Sequence, residues 1–128
     1  MEHGGKTILG AAVGILMLET RLPRIHGDMG NVMTREFTVR LKVGRGANPE
    51  NAVRGNPKDL VDLFVEAGRD LVAMGADGIN INCGFLALIQ DEVKQALGLP
   101  VAMSSLMQVP MGQNLLPADK RCGILALS

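Results

Sequence analysis

An α/β fold, a mostly parallel sheet with flanking helices, is predicted for this chain by three observations. Short apolar runs alternate with amphipathic segments along the sequence, the pattern of strand-helix-strand crossovers. The apolar runs are rich in Val, Ile and Leu, as strands buried on both faces are. The 128 residues are 47% apolar and 20% charged, enough for one core and too apolar for a disordered chain.

Taken in order, Thr7–Leu18 is a continuous apolar run with small residues at Gly10, Ala11, Ala12 and Gly14, and reads as the first buried strand. Glu19–Arg35 holds Pro23, Gly27 and Gly30 and reads as a long loop, a type that is usually functional in compact domains. In Glu36–Val43, Phe37, Val39 and Leu41 alternate with Thr38, Arg40 and Lys42, giving a half-buried second strand. Gly44–Asn56 reads as a second loop. Asn56-Pro57 then supplies a cap and a first-turn proline. Leu60, Val61, Phe64, Ala67, Gly68 and Leu71 follow at helical spacing up to Gly75. Gly78–Asn82 is a short buried strand, and Gly84–Leu97 a second helix closed by Gly98 and Pro100. Val101–Ser105 reads as a strand and Leu106–Leu116 as a third helix, started or interrupted by Pro110. Arg121–Leu127 is a last apolar strand, which another segment or chain would have to cover. Helices are expected on both faces of the sheet, and no internal repeat is evident.

Composition excludes several functions. Lys+Arg and Asp+Glu both number 13, and the three Phe stand with no Tyr or Trp. The chain therefore lacks both the charge to grip a nucleic acid and the platforms to stack its bases. Cys83 and Cys122 form no CxxC, and His3 and His26 stand alone, so no metal site is expected. Glycine-rich nucleotide loops are absent too, and no cofactor is expected. The run Thr7–Leu18 is too short to span a bilayer. Glu19-Thr20-Arg21 stand where a signal peptide would carry its small-residue cleavage site, so the reading is cytoplasmic, with reduced thiols and no membrane partner.

In parallel sheets ligands bind at the carboxyl ends of the strands. Those ends are Glu19-Thr20, Asn82-Cys83-Gly84-Phe85 and Ser104-Ser105. Cys83 stands between a strand and an expected helix, a position that favours a thiolate. A buried, inert cysteine is the competing reading. Ser104 and Ser105 are either carboxylate ligands or plain helix caps. Arg21 and Arg24 are the cations nearest the first strand's end. Cys122, inside the expected last strand, reads as a small hydrophobe, and His26 as a solvated loop residue.

Gly14–Thr20, Pro23–Asn31, Asn82–Ala87, Val101–Pro110 and Lys120–Leu125, in this order, resemble the aspartate/glutamate racemase superfamily, and most its hydantoin-racemase-like members. The resemblance implies one lobe of a two-lobed α/β fold that works without pyridoxal phosphate or metal, using two cysteine thiols at the lobe interface. Residues 1–128 would form the single lobe, a truncated half of the family's length, with 121–128 opening the missing second one. Cys83 matches the first catalytic cysteine, and Cys122 does not match the second. Thr20, Arg24, Asn82, Gly84, Phe85, Ser104 and Ser105 are the expected substrate-binding residues. Where many family racemases have Asn-Thr after the cysteine, this chain has Gly84-Phe85, which favours a bulkier or less polar substrate than an amino acid. The implied activity is racemase or isomerase chemistry on a small carboxylate or hydantoin-like compound, an anionic substrate, with Cys83 as thiolate acid/base. Racemisation needs a second acid/base group on the opposite face, so the resemblance points to a homo-oligomer or a second lobe. The alternative is a non-catalytic small-molecule-binding or oligomerisation module on the same fold.

Overall fold

The computed structural model of the protein describes residues 10–125. Within them, strands β1 (Val13–Leu18), β2 (Val39–Gly44), β3 (Gly78–Ile81) and β4 (Val101–Ala102) form one sheet. Their order is β2-β1-β3-β4 and every pairing is parallel. The helices are α1 (Pro49–Arg54), α2 (Val61–Ala73), α3 (Gln90–Leu97) and α4 (Val109–Leu115). The predicted α/β class stands.

Strand periodicity divides the sheet into two faces. Leu16 and Leu18 of β1 point with Ile79 and Ile81 of β3 into the main core, against Phe64 and Leu71 of α2. Leu86, Ile89, Val93 and Met103 close that core from the α3 side. α2 begins as the sequence indicates. Asn56 accepts from the Lys58 N–H, Pro57 opens a 3-10 turn over Pro57–Leu60, and the α-helix continues from Val61. α3 ends at Gly98, whose left-handed backbone (φ 66, ψ 25) is the conformation glycine adopts at least cost.

Several expectations are corrected. α2 packs over β1 and β2 and α3 over β4, both on the face of Leu16 and Ile81. The opposite face, with Ile15, Met17 and Asn80, is approached by the 19–38 loop, and by Met107 and Met111 of the last turn and α4 across a cleft. A Cβ on Gly30 would stand 2.5 Å from Met17 Cε. The expected 44–56 loop contains α1, capped by Asn48 accepting from the Asn51 N–H with Pro49 at the first position. The first strand begins at Val13, and Thr7–Leu9 lie outside the described residues. β4 has two residues, because the Met103 N–H goes to Gln90 Oε1 at 3.0 Å and Ser104 caps the next turn. The third helix divides into a 3-10 turn over Ser105–Gln108 and α4.

The expected last strand is absent over 121–125, while residues 126–127 lie outside the described range. Its backbone is engaged elsewhere. The Cys122 N–H donates to Gln113 Oε1 at 2.9 Å, and Gln113 Nε2 donates to the Lys120 carbonyl at 3.0 Å. Cys122 is therefore not a strand residue.

Candidate functional site

The site grows from β3. In Gly78-Ile79-Asn80-Ile81-Asn82 the two isoleucines enter the core, and Asn80 falls on the other face, in register with Ile15 and Ala102. Just past the strand, Asn82 ties two strand ends together. Its N–H donates to the Leu16 carbonyl at 3.2 Å, and its Oδ1 accepts from the Leu18 N–H at 2.9 Å. Asn80 Oδ1 lies 2.6 Å from the Ile81 N–H.

Next in the chain, Cys83 has extended backbone and its carbonyl accepts from the Leu86 N–H at 3.2 Å. The segment that follows is a 3-10 turn over Gly84–Ile89, and α3 starts only at Gln90. The long helix dipole expected at the sulfur is thus not in place there. Cys83 is half-buried and packs against the main core.

Beside this turn lies an open cleft of about 480 Å³. Asn80, Ile81, Asn82 and Gly84 line it from β3 and the turn after it. Ala102, Ser104 and Ser105 line it from β4, and Met107, Gln108 and Met111 from the turn and helix beyond. Met29 reaches it from the 19–38 loop. Cys83 and Phe85 stand beside the lining residues rather than among them. Among the described residues, the lining includes no charged side chain. Gly84 is small for a reason: a Cβ there would come within 3.2 Å of Ser104 Oγ. That oxygen also accepts from the Leu106 N–H at 3.1 Å, so Ser104 caps its turn while lining the cleft.

Thr20 and Arg24 are engaged with each other. Arg24 Nη2 donates to Thr20 Oγ1 at 2.5 Å, and Nη1 reaches both Asp28 oxygens at 3.1 and 3.2 Å. The Gly30 N–H donates to Asp28 at 2.6 Å and holds its carboxyl below the usual range, with Arg24 and then Arg35 adding to the effect. Arg35 also donates to the Met29 carbonyl at 3.0 Å. This knot braces the loop that carries Met29. His26 and Arg21 are exposed.

Of the eight expected site residues, the cleft brings together Asn82, Gly84, Ser104 and Ser105; Cys83 and Phe85 are chain neighbours of lining residues but do not line it, and Thr20 and Arg24 belong to the loop knot. Asn80, Met29, Met107, Gln108 and Met111 were not singled out. For Asn80 a signal existed: isoleucine and asparagine alternate along a strand read simply as buried. Among the described residues, no three His, Cys, Asp or Glu side chains come together as a metal site would require. No described helix is long and apolar enough to cross a membrane.

Over 100 residues the chain is 30% identical to dimethylsulfoniopropionate lyase 7 of Emiliania huxleyi, covering 77% of this chain and 29% of that protein. Over 114 residues it is 28% identical to dimethylsulfoniopropionate lyase 3 of the same organism, covering 88% of this chain and 30% of that protein. The chain spans less than a third of these curated relatives. Among solved structures, unliganded arylmalonate decarboxylase matches with a TM-score of 0.53 at 12% identity, over 82% of this chain and 47% of that one. That likeness shows the fold alone: an α/β lobe matching about half of the decarboxylase. No protein-family model matches the chain.

Proposed function

We propose that this chain carries one half of a cofactor-independent site that removes a proton from the carbon beside a carboxylate, with Cys83 as the thiolate base. A second lobe, or a second copy of the chain, completes it. The observation that carries the reading is the Asn82-Cys83-Gly84 turn, which sets a half-buried cysteine past the carboxyl end of an inner parallel strand, between two residues that line the cleft.

Proton removal beside a carboxylate is the first step of several reactions. Racemisation needs a base on one face and an acid on the other, so one thiol per lobe is not enough. Elimination needs a base on one face only. With dimethylsulfoniopropionate, the substrate named for the sequence relatives, the thiolate would take the proton next to the carboxylate. The C–H electron pair becomes the carbon–carbon double bond, and the C–S bond breaks. Its electrons leave with neutral dimethyl sulfide, acrylate remains, and the thiol returns its proton to solvent. A single cysteine satisfies that balance. We therefore place lyase chemistry ahead of racemisation.

The test is dimethyl sulfide release from dimethylsulfoniopropionate by the full chain, measured in the headspace. Loss of a general base costs roughly 10²–10⁴-fold. Cys83→Ser is expected to lose release by that factor, and Cys122→Ser to keep it. Equal release by the wild type and Cys83→Ser would remove the thiolate role. Exchange of the α-hydrogen for deuterium without release would move the reaction to the racemase type.

A further inference from the structure

We infer that Asn80 and Asn82 form the carboxylate-binding edge of the cleft, that Met29, Met107 and Met111 form the wall for the other end of the substrate, and that the site selects a zwitterion over a dianion. This deepens the carbanion reading above and rests on it.

Asparagine is disfavoured in strands, and β3 is an inner strand between β1 and β4. Yet Asn80 and Asn82 both line the cleft, while the isoleucine between them is buried. An amide flip is not free at either position. The Leu18 N–H and the Ile81 N–H are donors, so the atom each meets must be the carbonyl oxygen. Each Nδ2 therefore keeps its N–H groups directed elsewhere. Among the described residues neither finds a protein acceptor, and neither is shut away from solvent. The acceptor they await is a ligand oxygen. The two residues are separated by one pleat repeat, roughly 7 Å along the strand, so their amides can flank one carboxylate.

Charge decides the ligand class. Arg24, the cation expected to meet an anion, is committed to Asp28 and Thr20, and the cleft lining is neutral. A dianion entering it would lose hydration with no cation to compensate. A molecule carrying its own positive group loses less. Methionine thioethers are polarisable and adaptable, which suits methyl groups on sulfur or nitrogen.

Isothermal titration of dimethylsulfoniopropionate and of phenylmalonate into the Cys83→Ser chain tests this without turnover. The zwitterion should bind and the dianion should bind at least tenfold more weakly. Asn80→Asp and Asn82→Asp keep the oxygen that accepts from Ile81 or Leu18 and replace the N–H donors with charge. Each should weaken the zwitterion by roughly 10–100-fold at unchanged melting temperature, since hydrogen bonds to charged groups carry that much. Each should also bind trimethylsulfonium more tightly than the parent, an inversion that a purely structural asparagine would not produce. Equal affinity of parent and Asp variants for the zwitterion, or a preference for phenylmalonate, would overturn the inference. Either result would leave dimethyl sulfide release untouched. Failure of the carbanion reading appears instead in the release assay.

Discussion

Asp28 shows how one side chain shapes the site from a distance. It accepts from the Gly30 N–H and pairs with Arg24, so the loop turns back and sets Met29 on the cleft. Its carboxyl titrates below the ordinary value of 3.8, chiefly because the Gly30 N–H bonds the charged form, and then because of Arg24. A carboxyl with a lowered folded value binds fewer protons folded than unfolded. Its contribution is therefore complete above the ordinary value and fades as pH falls through the lower folded one. At neutral pH, Asp28→Asn should speed amide hydrogen exchange at Gly30 and Asn31, and the wild type should show the same loosening only in acid. Unchanged exchange in the variant would mean that the other bonds of the knot hold the loop without this charge. Asn31 Nδ2 on the Arg24 carbonyl and Thr34 on the Asp28 carbonyl would be the ones responsible.

At the scale of elements, the lobe depends on α2 lying close to β1. Phe64 of α2 is fully buried in the core beneath the helix, its ring beside Gly44 of β2, and Gly14 lets the helix approach β1: a Cβ there would stand 2.6 Å from Ile79 Cδ1 and 3.1 Å from Leu71 Cδ1. Phe64→Ala should cost about 3–5 kcal/mol by cavity formation, and Gly14→Val about 1–3 kcal/mol by overpacking. Urea unfolding checks both, and a cost below about 1 kcal/mol for Phe64→Ala would contradict the central place given to this contact. The same elements show what the sequence could convey. Asn56-Pro57 announced the helix start because a long amphipathic run followed it. Asn48-Pro49 carried the same signal, but α1 buries only Ala52 and offered no periodicity to read. The stretch 84–97 looked like one helix. Leu86 and Ile89, three apart and both fully buried, suit the tighter 3-10 spacing instead. Arg121–Leu127 had the composition of a strand, but a strand also needs a partner edge, and composition does not report one. In the site, Cys83, Asn82, Gly84 and the serines were legible because they follow strand ends. Asn80 and the methionines were not, since which face a side chain takes follows from register.

Across the whole molecule, many of the described apolar side chains left in solvent belong to the two segments that reach the cleft, the 19–38 loop and the stretch from Ser105 through α4. Ile25 and Met33 are each 74% exposed in the 19–38 loop, and Met111 and Leu115 are 65% and 80% exposed on α4. Leu22, Val32, Leu106 and Met107 extend the same two segments. Soluble monomers rarely expose apolar patches beyond several hundred Å² without a partner. Met29, Met107 and Met111 belong both to these segments and to the cleft, so whatever covers the patch also closes the site and expels its water. A second copy of this chain, related by a two-fold axis, is the cover we propose, and it would bring a second Cys83 towards the same space. Sedimentation velocity at micromolar concentration should show a dimer. Leu115→Glu, at an exposed position, should give a monomer of unchanged melting temperature. Dimethyl sulfide release per chain should then rise with concentration along the same curve as dimer formation and be lost in Leu115→Glu. A wild-type monomer would remove the assembly proposal. A monomeric Leu115→Glu that keeps its release per chain would show that the lobe works alone, as an elimination that needs a base on one face only allows.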